Sequence, residues 1–141
     1  MIVQCHGYYD LLHLGHLKHL RAAAGLLGKE NKKGELVVTL TAGRHMTKPG
    51  HPIFTDEQRV EMLMAWVGVV DRVEVIDSPG PYAAIDLVGP DIYVKGLEYE
   101  GRLPEMGYCL NKRIKVMFLG EKIYGSTRLL EQSNLLRAAA R

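Results

Sequence analysis

The sequence predicts an α/β fold, a doubly wound sheet of five parallel strands with helices on both faces. Short apolar runs alternate with stretches of helical periodicity along the 141 residues. The apolar residues within the runs are consecutive, which is typical of parallel strands buried on both faces. Several runs end in turns that combine glycine with charged or hydroxyl side chains. Ligands bind beyond the carboxyl ends of the strands in such sheets, so these turns are the candidate functional sites.

The first third of the chain predicts a strand, a helix and a second strand. Residues 2–5 form a short apolar run. From Leu14 the apolar residues recur at helical spacing, until Gly28 offers a stop. Residues 31–34 predict a polar turn, and residues 35–41 predict the second strand.

A long loop and a capped helix follow. Residues 42–54 have no periodicity and are rich in glycine, proline and basic side chains. A loop of this length in a compact domain is more often functional than idle. Thr55 and Gln58 form a capping box, in which each side chain bonds to the other residue's backbone amide. The helix that begins there is predicted to pack on the sheet through Val60, Leu63, Met64 and Val67.

The second half of the chain continues the alternation. The predicted elements are a third strand at 73–76, a short helix at 82–88, a fourth strand at 91–94, a fifth strand at 114–119 and a final helix after Gly125. The stretch between the fourth and fifth strands is loosely patterned, and we predict no element there.

Composition describes one globular domain over residues 1–141. The formal net charge of +2 gives no support for a nucleic-acid partner. Two cysteines are too few for a disulfide framework and indicate a reducing compartment. No apolar stretch approaches the length of a membrane span, and the first residues lack the charged start of a signal peptide. We therefore expect a cytoplasmic protein without a membrane partner. Both ends of the chain could be junctions with a longer, bifunctional chain.

In the turn at residues 5–16, the ten residues 7–16 bring two histidines, an aspartate and two glycines between a strand and a helix. The free N–H groups and the dipole of a helix N-terminus favour an anion, so this turn predicts a phosphate site. His13 and His16 would donate N–H groups to phosphate oxygens. A histidine pair at this spacing can also be half of a zinc site or two solvated side chains. His6 and His19 are predicted to be ordinary polar positions.

The segment His13-Leu14-Gly15-His16 resembles the His-X-Gly-His signature of the cytidylyltransferase-like nucleotidyltransferase superfamily. Gly7 and Asp10 also stand where the pattern of that family has glycine and aspartate. The resemblance extends over nearly the whole chain and implies a Rossmann-like fold with the strand order 3-2-1-4-5. In that order the turns after strands one, four and five meet at one edge of the sheet.

Two further segments are similar to sugar-phosphate adenylyltransferases such as the ADP-heptose synthases. Lys48-Pro49-Gly50-His51-Pro52 with Glu57-Gln58-Arg59 is similar to Lys-X-Pro-X-Arg-Pro followed by Glu-X-Arg, and His51 stands where that group commonly has arginine. Tyr93-Val94-Lys95-Gly96-Leu97-Glu98-Tyr99 resembles Val-Lys-Gly-X-Asp-Tyr, with Glu98 in place of the aspartate. Gly125-Ser126-Thr127 resembles the family's Ser/Thr-rich helix start near the nucleotide phosphates.

The resemblance assigns roles to individual residues. The catalytic candidates are His13, His16 and Lys48, the last as a mobile clamp over the triphosphate. The nucleotide-binding candidates are Gly7, Tyr8, Tyr9, Gly15, Lys95, Gly96, Glu98, Tyr99, Ser126 and Thr127. The acceptor-binding candidates are Asp10, Arg44 and Arg59. Structural alternatives stand beside the last set, because a turn aspartate can bond to its own backbone and Arg59 can pair with Asp56 or Glu61.

The function that the resemblance implies is transfer of a nucleoside monophosphate from ATP or CTP to a sugar phosphate, with release of pyrophosphate. Mg²⁺ would be bound through the triphosphate, and no protein metal site is expected. A cytidylyltransferase acting on an alcohol phosphate such as glycerol 3-phosphate is the nearest alternative. A nucleotide-binding module without catalysis and a histidine-rich metal-binding domain are the alternatives from other classes. The partners are thus a nucleoside triphosphate and a phosphorylated acceptor, and family members often form homodimers.

Overall fold

Five parallel strands form one sheet in the order β3-β2-β1-β4-β5, as the resemblance implies. The structure is a computed structural model, and it describes residues 1–28 and 34–120. The strands are β1 (Ile2–Gly7), β2 (Glu35–Thr41), β3 (Arg72–Ile76), β4 (Ile92–Gly96) and β5 (Lys115–Leu119). Strand order reverses between β1 and β4, and in a doubly wound sheet this reversal opens a crevice at the carboxyl ends of the two strands.

Four helices connect these strands in the described part of the chain. They are α1 (Leu14–Gly25), α2 (Asp56–Met64), α3 (Tyr82–Val88) and α4 (Met106–Asn111). Short 3₁₀ turns lie at Gly43–His45 and Leu97–Tyr99. The predicted capping box opens α2, with the Thr55 hydroxyl accepting from the Gln58 amide and the Gln58 side chain accepting from the Thr55 amide.

The sheet is buried on both faces, as the consecutive apolar residues predicted. Successive side chains of a strand point to opposite faces. Val94 packs in a cluster with Leu20 of α1 and Leu63 of α2, whereas its neighbour Tyr93 packs in a second cluster with Ile85 of α3. Helices α1 and α2 therefore cover one face, and α3 and α4 cover the other.

Some element boundaries differ from the sequence prediction. The strand β1 continues to Gly7 and β4 continues to Gly96, so both strands reach the edge where ligands bind. The predicted apolar face of α2 was wrong at its end, because the helix stops at Met64 and Val67 is 89% exposed. The prediction of no element between β4 and β5 was also wrong, since α4 forms there and buries Cys109.

The predicted final helix lies outside the described residues. Within residues 1–28 and 34–120, we find no helix with the length and apolarity required to cross a bilayer.

Candidate functional site

A cavity of about 540 Å³ opens at the carboxyl ends of β1, β2 and β4. It lies at the reversal of strand order, where ligands bind in doubly wound sheets. Two groups of charged and titratable side chains line it. The histidine end comprises His13, His16 and Lys48, and the lysine end comprises Lys95, Glu98 and Glu105. The other lining residues that matter below are His6, Gly7, Tyr8, Tyr9, Asp10, His19, Thr41, His51, Gly96 and Tyr99.

The histidine end is organised by the N-terminus of α1. His13 is the N-cap, and its Nδ1 atom accepts from the Gly15 amide at 3.0 Å. The Nδ1 atom of His16 accepts in turn from the His13 amide at 3.3 Å. This is a capping box made with two imidazoles, and it stacks the rings with their centroids 3.9 Å apart. Because both Nδ1 atoms accept, each neutral ring carries its proton on Nε2 and presents an N–H donor.

Both rings are neutral at pH 7. Burial lowers the pKa of His13, and burial together with the neighbouring His13 and His19 lowers the pKa of His16 to about 3. The pair therefore offers two oriented donors without carrying charge in the free protein. An anion beside the rings would favour their protonated forms, so binding of a polyphosphate is coupled to proton uptake.

Glycine at position 7 makes room for the wall of this end. The Tyr9 ring is buried and lies 5.3 Å from the His16 ring between centroids. A Cβ atom on Gly7 would approach the Tyr9 ring to 3.2 Å, which is tighter than ordinary contact. Tyr9 itself adopts a left-handed conformation with φ of 48°, which directs the chain from β1 into the turn.

The long loop is anchored to the first turn by Asp10. This buried carboxylate accepts from the amides of Ile53 at 2.7 Å and Phe54 at 3.0 Å, and from Nδ1 of His51. Burial alone would raise the pKa of Asp10, but these hydrogen bonds outweigh it and lower the pKa, so the carboxylate is ionised. Lys48 belongs to the same loop, lines the cavity and is exposed. The anchor thus determines where the loop carries Lys48.

At the lysine end, one ammonium group faces two carboxylates. Lys95 Nζ donates to the backbone oxygen of His6 at 3.2 Å and lies 4.6 Å from the centre of the Tyr99 ring. Burial lowers the pKa of Lys95, and the nearby Glu105 and Glu98 act in the opposite direction. Glu105 is itself buried and accepts from the Tyr93 hydroxyl at 3.2 Å. The charge of Lys95 is therefore compensated from within the protein.

The Glu98 side chain packs against the glycine of the Lys95-Gly96 pair. A Cβ atom on Gly96 would lie 2.3 Å from Oε2 of Glu98, which folds back over the end of β4. This carboxylate oxygen is buried and has no hydrogen-bond partner. The side chain thus lines the cavity with an acceptor that the protein does not satisfy.

Two predicted acceptor residues lie outside the cavity. Arg59 is fully buried, and its guanidinium donates to the backbone oxygens of Tyr8 at 2.9 Å and Thr41 at 2.8 Å. It also pairs with Asp56 at 2.5 Å, which is the structural alternative noted for it above. Arg44 is exposed and pairs with Asp77. Neither arginine lines the cavity and both are paired within the protein, so the structure gives no support to the prediction that they contact the acceptor.

The third predicted turn cannot be placed. Ser126 and Thr127 lie outside the described residues. The structure brings together the other two turns, at His13 to His16 and at Lys95 to Gly96. Gly15 is not a lining residue, but its amide holds the His13 ring.

Sequence reasoning missed nine of the lining residues, and four of them carry titratable side chains. These four are His6, His19, His51 and Glu105. His6 and His19 were predicted to be ordinary polar positions, yet both are buried. Burial and Lys95 lower the pKa of His6 to about 4, and its ring nitrogens lie 2.9 Å and 3.3 Å from the Thr39 and Thr41 hydroxyls. A histidine at the end of a strand that is buried on both faces was the signal that could have identified His6 as a lining residue.

In the described ranges, no group of three His, Cys, Asp or Glu side chains is arranged to hold a metal ion. The cavity instead combines N–H donors at one end with carboxylate acceptors at the other. Such a site can bind a ligand that has an anionic part and a part rich in hydrogen-bond donors.

Comparison with known proteins identifies the relatives of this chain. The family model described as cytidylyltransferase-like matches residues 5–130. The chain is 34% identical over 102 residues to the bifunctional protein HldE of Syntrophotalea carbinolica, covering 70% of this chain and 19% of that protein. It is 30% identical over 135 residues to the bifunctional protein HldE of Campylobacter jejuni, covering 93% of this chain and 27% of that protein. The chain therefore spans about a fifth to a quarter of the length of these relatives.

Solved structures support the same fold. The lipopolysaccharide core biosynthesis protein of Thermoplasma volcanium matches with a TM-score of 0.65 and 25% identity, over 87% of this chain and 98% of that chain. Pantothenate synthetase of Thermus thermophilus matches with a TM-score of 0.54 and 19% identity, over 83% of this chain and 55% of that chain. The second likeness concerns the fold alone.

Proposed function

Because this chain belongs to the cytidylyltransferase-like family, we propose that it transfers the adenylyl group of ATP to a sugar phosphate and releases pyrophosphate. The observation that carries this proposal is the imidazole capping box. It holds two Nε2–H donors at a helix N-terminus, beside Lys48 and at the reversal of strand order. Preorganised donors of this kind stabilise the charge that develops on a phosphoryl group during transfer.

The reaction needs no covalent intermediate. An oxygen of the acceptor phosphate attacks the α-phosphorus in line while the bond to the bridging oxygen breaks, and pyrophosphate leaves. His13 and His16 donate hydrogen bonds to the phosphates, and Lys48 neutralises part of the phosphate charge. Positioning and electrostatic stabilisation are sufficient catalysts for such a transfer.

Mg²⁺ carried by the triphosphate would supply further neutralisation of charge. The described residues of the histidine end do not form a cage for it, because both oxygens of Asp10 already accept hydrogen bonds from the loop. This donor set fits an ion that is held by phosphates and water, as is usual for Mg²⁺.

The sugar-phosphate acceptor is supported by the segment resemblances and by the relatives. Lys48 to Pro52 and Val94 to Tyr99 are similar to segments of sugar-phosphate adenylyltransferases. One solved relative at 25% identity acts in lipopolysaccharide core biosynthesis. A cytidylyltransferase for an alcohol phosphate would share the histidine end and differ in the nucleotide and the acceptor.

A pyrophosphate-release screen tests the proposal. ATP, CTP, GTP and UTP are each paired with sugar 1-phosphates and with glycerol 3-phosphate, in the presence of Mg²⁺. We expect release with ATP and a sugar 1-phosphate. Release with CTP and glycerol 3-phosphate would select the alternative enzyme. Nucleotide binding without release from any pair would indicate a binding module.

Lys48→Ala and Lys112→Ala form a matched pair for this screen. Lys48 lines the cavity, whereas Lys112 pairs with Asp86 and is not among the lining residues. Lys48→Ala should raise the nucleotide KM and lower kcat, and Lys112→Ala should behave like the parent. Unchanged kinetics in Lys48→Ala would exclude the lysine from the triphosphate site.

A further inference from the structure

We propose that His51 is a further catalytic residue, held by Asp10 so that its Nε2 atom receives the proton of a phosphate-monoester acceptor. The inference rests on the proposed nucleotidyl transfer and adds the group that activates the acceptor. It assigns Asp10 the role of a positioning residue, in place of the acceptor contact predicted from the sequence.

The contact between the two side chains determines which ring nitrogen is free. Nδ1 of His51 contacts Oδ2 of Asp10, and the carboxylate side chain is 1% exposed. An ionised carboxylate only accepts hydrogen bonds, so Nδ1 carries the hydrogen. The neutral ring then has its lone pair on Nε2. Among the described residues Nε2 has no hydrogen-bond partner, and the ring lines the cavity.

The Asp10 carboxylate is held in position by two further hydrogen bonds. Its Oδ2 atom, which contacts His51, also accepts from the Ile53 amide, and its Oδ1 atom accepts from the Phe54 amide. Those amides belong to the same loop as His51, so the loop and its histidine are oriented together. A third group that fixes the tautomer of a histidine base is the arrangement used by catalytic triads.

The other histidines of the cavity have different hydrogen bonds. The Nδ1 atoms of His13 and His16 accept from backbone amides, so these rings present donors. Both ring nitrogens of His6 contact threonine hydroxyls. His19 has an unpartnered Nδ1, but that atom is buried. Among the described histidines that line the cavity, His51 alone offers an accessible lone pair.

Asp10 is the titratable side chain that contacts His51, and His13 and His16 of the first turn and Lys48 of the loop line the same cavity. The amide of His51 also donates to the backbone oxygen of Lys48 at 3.2 Å, so the proposed base and the proposed clamp belong to one turn of the loop. The base therefore shares its cavity with the groups proposed to hold the triphosphate.

The proton transfer completes a balanced step. A phosphate monoester has a second pKa of about 6 and carries one proton in part of its population near neutral pH. Its oxygen forms a bond to the α-phosphorus, and the bond from that phosphorus to the bridging oxygen breaks. Pyrophosphate leaves with the electron pair, and the acceptor proton moves to Nε2 of His51.

The tautomer of His51 can be measured without any activity. Long-range ¹H–¹⁵N NMR of the imidazoles should show His51 protonated at Nδ1 in the parent. Addition of α-D-glucose 1-phosphate should shift its Nε2 resonance, whereas the His45 resonances should not move. A proton on Nε2 of His51 in the free protein would overturn the inference, whatever the pyrophosphate screen shows. If His51 has the expected tautomer but no pair of nucleotide and acceptor releases pyrophosphate, the contact between Asp10 and His51 is confirmed and the proposed function is wrong.

Steady-state kinetics provide the second test. They use the nucleoside triphosphate and acceptor that release pyrophosphate fastest in the screen. His51→Gln should lower kcat about 10²-fold, the scale of a general base, with the nucleotide KM unchanged.

His45→Gln is the matched control for this variant. His45 lies in the same loop and also contacts an aspartate, Asp77, at 2.8 Å, but it does not line the cavity. We expect parental kinetics from it. A parental kcat in His51→Gln would overturn the inference, as would a loss that is confined to the nucleotide KM.

Discussion

The two ends of the cavity stabilise their buried polar side chains in opposite ways, one by hydrogen bonds to neutral rings and the other by nearby opposite charges. At the histidine end, His13 and His16 are neutral, and the backbone amides of their own helix orient them. At the lysine end, burial lowers the pKa of Lys95, whereas Glu105 and Glu98 favour its charged form. The first solution is local in sequence, since it uses residues 13–16, and the second joins residues of β4 with residues that follow it.

The difference indicates what each end can do. Neutral N–H donors that are already oriented can bind an added anion. Their rings can also take up a proton when the anion binds, because no charged group of the protein already pairs with them. A lysine that is already compensated offers less net charge to a phosphate. We therefore place the phosphates at the histidine end and the less anionic part of the nucleotide at the lysine end.

The largest expected effect concerns activity at the histidine end. His16→Ala should lower kcat by about 10²–10³, the cost of one preorganised donor. His16→Gln should lose the same activity and keep the stability of the parent, because glutamine at this helix position also completes a capping box. Pyrophosphate release and thermal unfolding of both variants measure the two properties. Full activity in His16→Ala would place the phosphates elsewhere and break the comparison.

The next effect concerns stability at the lysine end. Lys95→Met removes the hydrogen bond to the backbone oxygen of His6 and the positive charge that Glu105 and Glu98 favour, and we expect the free energy of unfolding to fall by about 2 kcal/mol. The double variant Lys95→Met/Glu105→Gln should recover part of that loss, with a coupling of about 0.5–3 kcal/mol. Denaturant unfolding of the two single variants and the double variant gives the coupling directly. Additive losses would show that Glu105 does not compensate Lys95.

The smallest effect is the pH dependence of stability at the histidine end. The pKa of His16 is lowered to about 3, so the unfolded chain binds more protons than the folded protein below about pH 6.5. Stability is therefore retained above that pH and falls as the pH decreases, by up to about 1.4 kcal/mol per pH unit for this group. Melting temperatures between pH 7.5 and 5 should fall less steeply for His16→Gln than for the parent. Identical slopes would contradict a neutral, buried His16.

Much of the fold followed from patterns that are local in the chain. Strand β2 and helix α3 were predicted with their observed bounds, and the capping box of α2 was confirmed. Each of these depends on propensity, periodicity or caps within a few residues. The end of α2 was mispredicted because an apolar residue such as Val67 continues a helical pattern whether or not a partner element covers it.

In the candidate site, too, the features that were predicted depend on residues close together in the chain. The first turn was recognised because glycine, aspartate and histidine stand at fixed spacing there, and the structure adds the capping box that the spacing permits. The contact of Asp10 with His51 and that of Arg59 with the backbone oxygen of Tyr8 could not be read from the sequence. These partners lie 41 and 51 residues away in the chain.

The sequence by itself determined the class of fold, the strand order implied by the resemblance, and the turn that begins α1. Those features depend on contacts between near neighbours and on a short signature. Only the tertiary structure decided that Arg59 is a buried support for the ends of β1 and β2, that Asp10 holds His51, and that Glu105 faces Lys95. The physical reason is that a charged side chain takes the partner that burial brings to it, and burial is decided by the packing of distant segments.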